Sequence, residues 1–184
     1  MKLVGNDVYL KLRDPRQVLA LIPHAYRQDQ HIVRIPHALE ETKVLRNLGI
    51  PVPAPILTQY HWPGLYTPMD HQQEIAAFAT LHKRNFILAD MGLGKSLAAL
   101  WAADFLMQTE EIRKVLILST LSCLDPVWHA EIFRHFMHRT SIVVHGTKKQ
   151  RVAALREDVD FYILNHHGIQ VVYEELLDCM ETGV

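Results

Sequence analysis

From residue 69 onward, short apolar runs alternate with helical stretches, and this rhythm limits the fold more than any other feature of the chain. The runs are Phe86-Ile87-Leu88-Ala89, Lys114 to Leu118, Ser141 to Val144 and Asp160 to Leu164. Each is apolar on both of its faces, so none reads as a strand with one side in water. The intervening segments have helical length. One runs from Asp70, read as its cap, through about Leu81, and the next from Lys95 to Met107. A third starts at the Asp125-Pro126 pair and runs to about His138, a fourth spans Lys148 to Arg156, and the last covers residues 168–180. Four buried strands separated by helices predict an α/β fold with a parallel sheet covered by helices.

The first strand-to-helix junction carries Asp90-Met91-Gly92-Leu93-Gly94-Lys95-Ser96. Glycines allow a tight turn whose N–H groups converge on phosphate oxygens. The helix that follows adds the favourable dipole of its N-terminus. Lys95 is placed to reach the β- and γ-phosphates of a nucleoside triphosphate, and Ser96 to offer its hydroxyl to Mg²⁺. The general loop starts on glycine five positions before Gly94; here that position is Ala89.

Residues 1–50 read as a small α+β unit. Val8 to Leu12 alternates as a strand, Asp14-Pro15 opens a helix through Leu21, His31 to Ile35 is a second strand, and Leu39 to Leu48 is a helix ended by Gly49. Residues 51–68 hold Pro51, Pro53, Pro55, Pro63 and Pro68, which argues against regular structure and for a semi-rigid linker. Tyr60, Trp62, Leu65 and Tyr66 are expected to pin that linker to the lobe at 69–184. Cys123 and Cys179 match no zinc spacing and read as reduced thiols of a cytoplasmic protein. No apolar run approaches membrane-spanning length. With 19 Lys and Arg against 20 Asp and Glu, the chain lacks the basic excess usual in nucleic-acid binders, although a local basic groove suffices for phosphate contact.

The loop at 90–96 resembles motif I of the Swi/Snf-type ATPases of helicase superfamily 2, and is most similar to phage-encoded members. Other segments agree in order. His71-Gln72-Gln73-Glu74 resembles the adenine-reading glutamine motif, with Gln72 favoured over Gln73. Val115 to Ser122, followed by Trp128 and Glu131, is similar to motif Ia and its trailing helix. His145-Gly146 matches a common family turn, and Asp160 to His166 resembles motif Ib. Thr120 stands where many members have proline, and Asn165 where many have threonine.

The resemblance implies a RecA-like ATP-binding lobe, ATP and Mg²⁺ as cofactors, and DNA as the partner of the full-length parent. It implies that Ser119, Thr120, Ser122 and Asn165 touch the nucleic-acid backbone. It also implies that the acidic motif II, the later motifs and the second lobe would follow Val184. The expectation is therefore an N-terminal portion of a motor, located in the cytoplasm (the host's, if phage-encoded), which binds ATP but neither hydrolyses it briskly nor translocates alone. A short non-catalytic module that regulates or mimics a full helicase is the alternative. A nucleotide kinase is disfavoured by the lack of a lid pattern and of a second acidic box.

Three basic clusters are weaker candidates for phosphate contact: Lys83-Arg84-Asn85; Arg134, His135, His138 and Arg139; and Lys148, Lys149 and Arg151. The twelve histidines show no metal-ligand spacing. An incomplete parallel sheet should leave apolar surface uncovered, which predicts self-association or marginal stability.

Overall fold

The structure, a computed structural model, describes the backbone of residues 1–182 and the side chains through Asp178. The first sheet is antiparallel, in the order β1 (Lys2–Val4), β2 (Asp7–Lys11), β4 (Ile32–Pro36), β3 (Tyr26–Arg27). Strand alternation turns Val8, Leu10, Val33 and Ile35 inward, where they meet Val18 and Ile22 at α1 (Arg16–Leu21), Leu45 of α2 (Leu39–Asn47), and Val52. The β1–β2 hairpin turns at Gly5-Asn6, with Gly5 at φ 57°. Asp14 accepts from the backbone N–H of Arg16 at 3.0 Å and so supports the start of α1, although Pro15 occupies the cap position.

The proline-rich stretch is not wholly irregular. Pro55 leads one helical turn, α3 (Ile56–Gln59), which uses proline where its missing N–H costs nothing. Val52, Ala54, Ile56 and Tyr60 are buried. Tyr60 meets Trp62 and Phe105 edge-on, Trp62 meets Trp101, and Tyr66 lies against His135. Leu65 behaves differently from the aromatics. Its side chain is 70% exposed, and it is held by its backbone N–H, which donates to Nδ1 of His135 at 3.2 Å.

The second sheet is parallel, in the order β5 (Val115–Ser119), β7 (Phe161–Asn165), β6 (Ser141–Val144). Phe161 to Leu164 of the central strand are all buried, as a strand covered on both faces requires. Helices α4 (Asp70–Leu81) and α5 (Lys95–Gln108) pack together over one cluster that includes Ala76, Leu81, Leu100, Trp101, Ile117 and Ile163. Helix α7 (Lys148–Leu155) contributes Leu155 to a further cluster with Val144 and Leu164. The α/β fold is thus a partial RecA-like sheet flanked by helices.

Several local expectations are corrected. The sheet has three strands, because Phe86 to Ala89 forms no ladder among the described residues. Its burial still alternates, with Phe86 90% and Leu88 95% exposed while Ile87 and Ala89 are half-buried. The pattern suits a strand, but a strand needs a partner for its N–H and C=O groups. The segment after β5 is not one helix from Asp125 to His138. A 3₁₀ turn (Leu121–Cys123) and a π-helical turn (Leu124–His129) precede α6 (Ala130–His135). The last helix breaks at Val172 into α8 (Gly168–Val171) and α9 (Tyr173–Thr182). Met69, not Asp70, is the cap residue of α4. The Cys179 side chain and residues 183–184 lie outside the described part.

Candidate functional site

The 90–96 loop enters α5 through Gly94, whose φ of 71° is left-handed and strained for any L side chain. A Cβ at Gly94 would also sit 2.2 Å from Nε2 of Gln72, a side-chain end that would have to move aside, so the left-handed φ is what calls for glycine here. Gly92 has φ 84° but open space around it. Met91 is 96% exposed and Leu93 38% exposed, so the loop presents its backbone to solvent rather than burying apolar weight. Asp90 is exposed, and Ser96 is half-buried in the first turn of α5.

Lys95 folds back over the loop. Its Nζ donates to the carbonyl oxygens of Ala89 and Asp90, each at 2.7 Å. Helix α4 braces the other side. Gln72 spans two contacts: its Oε1 accepts from Met69 N at 3.0 Å, and its Nε2 donates to Leu93 O at 3.4 Å. Nε2 of His71 donates to the same Leu93 oxygen at 3.1 Å. Gln73 is committed elsewhere, to Pro68 O at 3.1 Å. The sequence gives no role to His71 beyond its place beside Gln72 in the first turn of α4.

These residues fit a phosphate ligand. Two left-handed glycines, an ammonium already holding two oxygens, and the N-terminus of a 14-residue helix converge on one loop. Among the described residues no group of three or more His, Cys, Asp or Glu side chains gathers as metal ligands. Any Mg²⁺ at this loop would rest on Ser96 and on oxygens brought by the nucleotide.

Ser119, Thr120, Ser122 and Asn165 come together at the C-terminal ends of two neighbouring parallel strands. Ser119 pairs with Asn165 in register, and Ser119 O accepts from His166 N at 3.2 Å. Thr120 and Ser122 are exposed and within 3.4 Å of each other. In open α/β sheets this rim is where ligands bind. No hydrogen bond joins the rim to the 90–96 loop among the described residues. Asn165 is partly used, since its Oδ1 accepts from Arg151 at 3.0 Å.

Two of the three basic clusters dissolve. Arg151 is buried and spent on Gly146 O, Val144 O and Asn165. His135 is buried under the linker. His138 and Arg139 turn to Asp104, whose carboxylate is fully buried. Oδ1 of Asp104 accepts from His138 Nε2 at 2.9 Å and Arg139 Nε at 2.6 Å. Its Oδ2 accepts from Tyr60 at 2.5 Å and Gln108 at 2.8 Å. Burial, and then the Asp104 carboxylate beside it, push the Tyr60 phenol far above its ordinary range. Lys83 and Arg84 remain exposed.

A sequence profile described as the SNF2-related domain matches residues 17–180. A comparison with curated proteins gives no match. Among solved structures, the chain resembles the Sulfolobus solfataricus SWI2/SNF2 ATPase core in complex with dsDNA. The TM-score is 0.52 at 21% identity, over 59% of this chain and 23% of that one. At that identity the likeness speaks for the fold. The present chain spans under a quarter of that protein's length.

Proposed function

This chain belongs to the SNF2-related domain family, and we propose that it is the ATP-binding portion of a Swi/Snf-like, DNA-dependent ATPase of superfamily 2, of the phage-encoded type. The observation that carries the reading is the loop at the start of α5, where Gly94 is left-handed and Lys95 already holds two carbonyl oxygens. Phosphate oxygens are acceptors of the same kind, so Lys95 exchanges Ala89 O and Asp90 O for them on binding. The loop N–H groups from Met91 to Lys95 cradle the phosphates, and Ser96 contributes its hydroxyl to Mg²⁺, which neutralises phosphate charge. Gln72 gives up Leu93 O and turns its amide to the adenine edge, since an amide offers both a donor and an acceptor. Ser119, Thr120, Ser122 and Asn165 form the rim that takes the nucleic-acid backbone.

Phosphoryl transfer needs several groups acting together. Lys95 and Ser96 supply two of them, and the remaining lobes of the parent supply the rest. Titration with a fluorescent ATP analogue should show saturable, Mg²⁺-dependent binding that Lys95→Ala weakens at least about tenfold. Turnover should stay near background with or without DNA. Equal binding by Lys95→Ala would refute the loop's role, and brisk DNA-stimulated hydrolysis by this chain alone would refute its dependence on further lobes.

A further inference from the structure

The outward face of the N-terminal sheet carries a pattern that the nucleotide site does not use. Lys2 pairs with Tyr9, Tyr9 with Arg34, and Arg34 with Tyr26, in register across all four strands. One straight row therefore reads basic, aromatic, basic, aromatic. Lys11 stands on the same face, two residues along from Tyr9. Lys2, Lys11, Arg34 and Tyr26 are exposed and Tyr9 is half-buried. The helices α1 and α2 bury the opposite face, so the chain leaves this one open. Residues 1–50 hold eight Lys and Arg against five Asp and Glu, whereas the whole chain is net −1. Asp7 is the one acidic side chain on the face, and it pairs with Arg34 at 2.7 Å.

We propose that this face binds single-stranded nucleic acid, with bases stacked on Tyr9 and Tyr26 and phosphates held by Lys2, Arg34 and Lys11. The two tyrosines lie two strands apart, about 10 Å, with Arg34 between them. Aromatic rings accept any base on their π-faces, and interleaved cations follow a backbone. The register places both in one line, and the excess of positive charge selects a polyanion over an apolar partner.

The test is fluorescence anisotropy with the full chain and a labelled oligo-dT, at low and moderate salt, with a duplex of equal length as the second probe. The single strand should bind more tightly than the duplex. Each of Tyr9→Ala and Tyr26→Ala should weaken binding about fivefold or more. The Lys2→Gln/Lys11→Gln double variant, fully surface-placed and so expected to fold, should flatten the salt dependence by about 1.4 in log–log slope. Unchanged affinity in the folded tyrosine variants, an unchanged salt slope, or a preference for duplex would overturn the assignment. This titration and that of the ATP analogue read different faces, so failure of one leaves the other standing.

Discussion

Asp104 is a carboxylate with no exposed surface and four side-chain donors from three separate segments. Such a group is stable only while its partners remain, because an uncompensated buried charge is costly to keep. Asp104→Ala leaves Arg139 with only longer contacts, to Asp160 at 3.3 Å and to the backbone carbonyl of residue 104 at 3.4 Å. It should destabilise the fold by about 3 kcal/mol or more in urea unfolding. Tyr60 gives the pH counterpart. Its folded pKa is raised, so the stabilisation is complete below the unfolded value of about 10. It is lost as pH rises above that, because the unfolded chain releases the phenol proton while the folded chain keeps it. Thermal melts should therefore show a steep decline above about pH 10, and Tyr60→Phe should flatten that decline. At the loop, Gly94→Ala should weaken ATP-analogue binding more than Gly92→Ala, because both positions have positive φ but only at Gly94 would the added methyl also displace Gln72.

Among the elements, the docked linker is the most exposed to a single substitution. Gly64 has φ 117°, and a Cβ there would meet Nδ1 of His135 at 2.4 Å, the atom that accepts from Leu65. Gly64→Ala should undock the linker and lower the melting temperature by several degrees, and hydrogen exchange should increase at Leu65. Helices α2, α4, α5 and α7 and strands β2, β4, β5, β6 and β7 were legible from periodicity, because each is specified by its own side chains. What escaped depends on distant partners. Strands β1 and β3 are two or three residues long and exist through β2 and β4. Phe86 to Ala89 has a strand's alternation and no neighbour to pair with. Asp104 finds Tyr60 44 residues away and Arg139 35 away, separations that no local spacing reveals. The loop itself was readable because its chemistry is contiguous, whereas the way His71 braces Leu93 needed the packing of α4 beside α5.

At the scale of the molecule, the unpaired apolar stretch before the loop has a consequence for solution behaviour. Phe86 and Leu88 expose nearly their whole side chains, and the outer edge of β5 takes no partner among the described residues. Open edges and apolar patches favour association. Light scattering should show concentration-dependent oligomers, and Phe86→Lys/Leu88→Lys should return the chain to a monomer. No described helix is long and apolar enough to cross a membrane.

Helix α5 has another property that follows from what it holds at each end. Lys95 and Ser96 sit in its first turn. Trp101 and Asp104, further along, grip the linker through Pro63 O and Tyr60. A rod of 14 residues, about 21 Å long, thus has the 90–96 loop at one end and the tether of the N-terminal sheet near the other. Displacing the linker at Trp101 or Asp104 therefore disturbs the same helix whose first turn carries Lys95 and Ser96.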